Sequence, residues 1–323
     1  MNRHGTTRRG RWAPEVLPLE ARQLMAANVG GGAIRFREVG TGDAATLYVL
    51  GTNRDDVIRV EDNGSAGAGN ITVVTGTGKT YTTRRAVAVV QVSGRNGNDQ
   101  VGYNLNAPLI APRSVLSFLG AGHDRFTGTV AQPVQTTKIL DIEAFGDVGN
   151  DVLAVHQSGA VMAGTVFPFL DGGDGDDAIA YSLMGPVAAG ATVGPGLLGG
   201  AGDDAIGLAY AGENDGQVLY NATIDAGDGD DVVDAAIAVA ANSTGKLGID
   251  AATPAIVQGG AGDDDLRVVV TVDPTATTTT STTTKATTAQ VFAIAPGGEG
   301  RDTVRRTANV RGDLTSEIDA VVG

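Results

Sequence analysis

Four short stretches carry the side chains best suited to chemistry: "GGDGDDAI", "GGAGDDAI", "AGDGDDVV" and "GGAGDDDL", whose turns close at Asp177, Asp204, Asp231 and Asp264. Each places two carboxylates side by side behind glycines, pairing Asp176 with Asp177, Asp203 with Asp204, Asp230 with Asp231, and Asp263 with Asp264. Hard oxygens next to accessible main-chain carbonyls suit a hard divalent cation. The plainer chemistry is a turn, because aspartate bends the backbone and glycine supplies unusual dihedrals.

The pattern extends beyond these four. Related turns close at Asp56, Asp99, Asp124, Asp151 and Asp302, so successive copies lie 43, 25, 27, 26, 27, 27, 33 and 38 residues apart. Glycine stands two residues before the aspartate in eight of nine copies, Arg54 being the exception, which points to positive φ or a backbone too crowded for a Cβ. Two residues after it the side chain is always apolar: Ile58, Val101, Phe126, Leu153, Ile179, Ile206, Val233, Leu266 and Val304. Seven residues before it, Val49, Val92, Leu170, Leu197, Ile224 and Val257 are apolar as well. Between turns, stretches such as "AIAYSL" and "VVDAAIAV" alternate with period two, the mark of strands.

A strand–turn–strand unit of this length cannot bury its apolar side alone, whereas stacked copies bury it continuously. The expected fold is therefore all-β: a parallel β-helix or β-roll solenoid with about 26 residues per coil and the Gly-Asp turns in one column. At about 4.8 Å per coil, the stack would be roughly 38 Å tall. Residues 31–323 form this single domain. Residues 1–30 read as a largely unstructured export or capping segment, the Thr-rich 274–288 as a projecting loop, and "DLTSEIDAVVG" as an end cap.

"GGAGDDAIG" and "GGDGDDAIA" resemble the Gly-Gly-x-Gly-x-Asp-x-apolar-x repeat of the haemolysin-type (RTX) calcium-binding proteins. The resemblance implies Ca²⁺ held between stacked turns. Asp177, Asp204, Asp231 and Asp264 would be the principal carboxylate ligands. Carbonyls would come from Gly172, Gly173, Gly175, Gly199, Gly200, Gly202, Gly227, Gly229, Gly259, Gly260 and Gly262. Copies in that family follow every nine residues, so the wider spacing here implies one ion column instead of two. The second aspartates, Asp176, Asp203, Asp230 and Asp263, would deepen the negative potential or complete a shell. In-register carboxylates about 4.8 Å apart repel by about 0.9 kcal/mol per pair in water, or roughly 3.5 kcal/mol at an effective dielectric near 20. A divalent cation would relieve this. The outer copies, interrupted by Arg54, Arg95, Leu119, His123 and Arg301, are expected to keep the fold and lose the ion.

Other features narrow the function. The net charge of −14 argues against nucleic acid as a partner. No cysteine is present, so disulfides and thiolate metal sites are excluded. No apolar run is long enough to predict a transmembrane segment. "TGTGKT" (75–80) lacks the first glycine of a phosphate loop, Val73 standing there, and the histidines share no zinc motif. "LPLEARQLMA" (17–26) resembles the Leu-Glu-x-Arg-x-Leu-Leu/Met-Ala segment of large bacterial cell-surface proteins, or else is a short amphipathic helix. Taken together, the residues predict a non-enzymatic calcium-binding structural or adhesive protein, extracellular or at the cell surface. Its partners would be calcium ions and a surface glycan or protein. The alternative is an extracellular β-helix lyase or hydrolase acting on polysaccharide, with Tyr181, Tyr210 and Tyr220 as groove candidates. The carboxylates recur in a column with no singular cluster apart, which favours the structural reading.

Overall fold

In the computed structural model, the described residues are 33–40, 44–240, 243, 246–247, 255–272, 279–280, 292–295 and 302–310. All regular structure among them is strand. The chain winds as a β-solenoid of about six turns with about 27 residues per turn, the architecture that the repeat spacing predicts. The N-terminal segment and "DLTSEIDAVVG" lie outside the described residues. Within the Thr-rich stretch, Thr279–Thr280 pairs in parallel with Lys246–Leu247 and so continues the stack.

Each middle coil is built alike. A long strand such as Ile139–Val148 runs into the Gly-Asp corner, and a six-residue strand such as Val152–Gln157 leaves it. The first kind of strand stacks into a 14-stranded sheet and the second into an 11-stranded sheet. A second corner is marked by the single-residue bridges Leu109–Val134–Val161–Val187–Asn214. In the middle coils these pairings are parallel, so each residue lies over its equivalent one coil away.

That register turns the sequence's apolar positions into ladders. Ile58, Val101, Phe126, Leu153, Ile179, Ile206, Val233 and Leu266 are register partners in one continuous file. Across the core runs a second file, Val49, Val92, Ser117, Ala144, Leu170, Leu197, Ile224 and Val257. All are buried. Tyr181 and Tyr210 belong to this interior rather than to a groove, Tyr181 donating its hydroxyl to Gln157 Oε1 over 2.8 Å.

The N-terminal end of the described residues breaks the parallel rule. Arg35–Val39 pairs antiparallel with Ala45–Leu50, and Val57–Asp62, Ile71–Thr75 and Thr80–Thr82 form an antiparallel meander. "TGTGKT" is the tight turn of this meander, with the Gly78 N–H on the Thr75 carbonyl. Buried Arg113 ties the cap to the first coils, donating to Asp62 Oδ2 over 2.6 Å and to the Val87 carbonyl.

Candidate functional site

The Gly-Asp corners superimpose coil upon coil, as the calcium reading requires. Register brings Gly173 beside Gly200, Gly227 and Gly260. Gly200 shows why the turn demands glycine. Its φ is +118°, and a Cβ there would collide with the Gly173 carbonyl below. At the equivalent position Asp147 adopts φ 75° without being glycine.

The final aspartates form an inner file. The main-chain N–H of each donates to Oδ1 of the aspartate one coil later: Asp99 to Asp124 (2.6 Å), Asp124 to Asp151 (2.7 Å), Asp151 to Asp177 (2.6 Å), Asp177 to Asp204 (2.7 Å) and Asp204 to Asp231 (2.7 Å). The file continues from Asp56 to Asp99 and from Asp231 to Asp264. The residues before them form an outer, exposed file of opposite sense. Asp176 Oδ1 accepts from the Asp203 N–H, Asp203 Oδ1 from Asp230, and Asp230 Oδ1 from Asp263. Where the carboxylate is missing, another acceptor substitutes: Asn98 Oδ1 for the His123 N–H and His123 Nδ1 for the Asn150 N–H. Adjacent aspartates therefore stitch the corner in both directions.

The inner carboxylates have one oxygen left over. Oδ2 of Asp99, Asp124, Asp151, Asp177, Asp204, Asp231 and Asp264 is buried and accepts no hydrogen bond, and these residues are 3 % exposed or less. In most copies Oδ2 lies against the glycine five residues earlier, namely Gly94, Gly146, Gly172, Gly199 or Gly259. The carbonyls of Leu119, Gly172, Gly199 and Ala226 approach the same points for Asp99, Asp151, Asp177 and Asp204.

Burial dominates the electrostatics of this file. Burial pushes Asp99 up to about 7, and Asp151, Asp177, Asp204 and Asp231 up to about 6; the hydrogen bond from the preceding aspartate's N–H opposes this. Neighbouring carboxylates push the same way as burial. Asp124 and Asp264 are also raised.

The sequence-predicted residues thus divide. The inner aspartates and the carbonyls of Gly172 and Gly199 come together at the corner. The carbonyls of Gly173, Gly175, Gly200, Gly202, Gly227 and Gly229 instead pack along the stack against the next glycine, Gly260 and Gly262 ending the two files. Among the described residues no three acidic or histidine side chains converge as a metal-ligand group.

Sequence reasoning missed a second cluster. Asp141 and Glu143 project from Ile139–Val148 on the outer face of the 14-stranded sheet, two residues apart on the same strand. Burial first, then Glu143, pushes Asp141 up to about 7. The signal was present in "LDIEAF", where acids occupy the outward positions of an otherwise apolar strand.

No family model, curated protein or solved structure matches this chain.

Proposed function

We propose that this protein is a structural solenoid of the cell surface or extracellular space that takes up calcium along its Gly-Asp corner. One observation carries the reading: a single file of seven buried carboxylate oxygens without a donor. Such atoms are costly unless a proton or a cation neutralises them. The donor set fits calcium in kind, being hard oxygen throughout: Oδ2 of Asp177 and Asp204, the carbonyls of Gly199 and Ala226, and the exposed carboxylates of Asp176, Asp203, Asp230 and Asp263. Oxygen sites of this kind commonly hold calcium in the range of about 10⁻⁴–10⁻³ M in extracellular modules.

Calorimetric titration of CaCl₂ into EDTA-stripped protein, with melting curves on the same samples, tests the proposal. Heat of binding and a raised melting temperature are expected, both blunted in Asp204→Ala. Absence of heat with an unchanged melting curve overturns it, leaving a corner neutralised by protons.

A further inference from the structure

The outer face of the 14-stranded sheet carries an aromatic row that the solenoid itself does not need. Phe118, Phe145 and Phe169 are outward-facing and half-buried. The rings of Phe118 and Phe145 stack at 5.1 Å, and those of Phe145 and Phe169 meet tilted at 5.8 Å. Carboxylates border the row on both sides. Glu143 is the register partner of Phe169, and Asp171 that of Phe145. Asp225 follows one coil beyond Leu198. Burial raises Asp171 and Asp225 as it does Asp141, the mark of negative charges placed beside apolar surface without a countercharge.

The middle of the face is one-sided in its chemistry. Outward positions of Arg113–Ala121, Ile139–Val148, Thr165–Asp174, Gly196–Ala201 and Thr223–Asp228 include no lysine, arginine, asparagine or glutamine, the nearest amides in register being Gln91 beside Leu116 and Gln258 beside Asp225 on the adjoining strands. The ion pairs among the described residues, Arg113–Asp62, Arg267–Asp234 and Arg305–Asp265, lie elsewhere. A carboxylate offers acceptors only, so the surface around Phe145 and Phe169 lacks the amide and charged donors that a sugar's hydroxyls would also seek. An ammonium or guanidinium supplies what is missing: N–H donors for the carboxylates, positive charge for the ring faces, and an aliphatic stem for the apolar surface between them.

We infer that this face binds an extended lysine- or arginine-bearing peptide segment of a partner protein, seated over Phe145 and Phe169 between Glu143 and Asp171. This binding is separate from cation uptake at the corner and does not depend on it.

The test is fluorescence anisotropy with a labelled alternating Lys-Gly peptide on the full chain, in EDTA at physiological salt, with a Glu-Gly peptide of equal length as control. The Lys-Gly peptide should bind and the Glu-Gly peptide should not. Phe169→Leu keeps the apolar bulk and the charge but removes a ring, and should weaken binding about three- to five-fold. Glu143→Gln should weaken it comparably, while Asp203→Asn on the corner should leave it unchanged. Equal weakening by Asp203→Asn, or no effect of Phe169→Leu, would mean diffuse attraction to the net charge and overturns the assignment. So would stronger binding of a neutral oligosaccharide to the same face.

Discussion

The main-chain N–H of Asp177 donates to Oδ1 of Asp204 over 2.7 Å, joining residues 27 apart in sequence and one coil apart in space. Asp204 repeats the gesture toward Asp231. The carboxylate is therefore part of the stack's hydrogen bonding before any ion is considered. Asp204→Ala deprives the buried Asp177 N–H of its acceptor and should cost about 1–3 kcal/mol. Asp204→Asn retains that acceptor and adds an amide donor beside the Ala226 carbonyl, so it should lose little. Chemical denaturation in EDTA distinguishes the two; equal losses would show that the ladder bond contributes nothing.

Asp99 sets a pH dependence outside the most acidic block. Burial raises its carboxyl from an ordinary 3.8 to about 7 in the folded chain. Between those values the folded state binds more protons than the unfolded state, so stability falls as pH rises through this window. The contribution is fully present below pH 3.8 and is lost as pH passes 7. Asp99→Asn keeps the acceptor for the Asp56 N–H and removes the titration. Its melting temperature should exceed that of the parent at pH 8 and match it near pH 4, both in EDTA. A variant that melts lower at pH 8 would contradict this.

Periodicity made the stack legible from sequence because parallel register places identical positions over one another. Ile58 through Leu266, all two residues after a turn aspartate, could enter one file for that reason alone. The roles of the two adjacent aspartates were not legible. Their partners are main-chain N–H groups, which every non-proline residue has, so no residue type announces them. Asp141 and Glu143 were not legible for a different reason: they lie in the middle of a strand, outside the repeating turn column. Their significance comes from Phe118 and Phe169, which register brings to the same face from 20 or more residues away in sequence.

Gly200 and Asp147 occupy equivalent corner positions and should respond oppositely to substitution. Gly200→Ala drives a methyl into the Gly173 carbonyl at a backbone angle of +118°, and should cost more than about 2 kcal/mol. Asp147→Gly releases a non-glycine residue from φ 75° and removes a charge near Asp151, and should stabilise by about 1 kcal/mol. Equilibrium unfolding of both variants tests the pair. A stable Gly200→Ala would mean that the coils separate readily at the corner.

Arg113 should control the cap without controlling the whole stack. Its guanidinium joins Asp62 of the meander, the Ser65 carbonyl and the Val87 carbonyl, and the Tyr103 hydroxyl completes the shell around Asp62. Arg113→Met leaves Asp62 buried with its charge uncompensated, a loss of about 3–5 kcal/mol. Adding Asp62→Leu removes that charge and should recover part of the loss. In a solenoid each coil depends chiefly on its neighbours. Hydrogen exchange in Arg113→Met should therefore quicken first across residues 57–82 while residues 165–240 stay protected. Uniform loss of protection along the chain would show instead that the cap and the coils unfold as one unit.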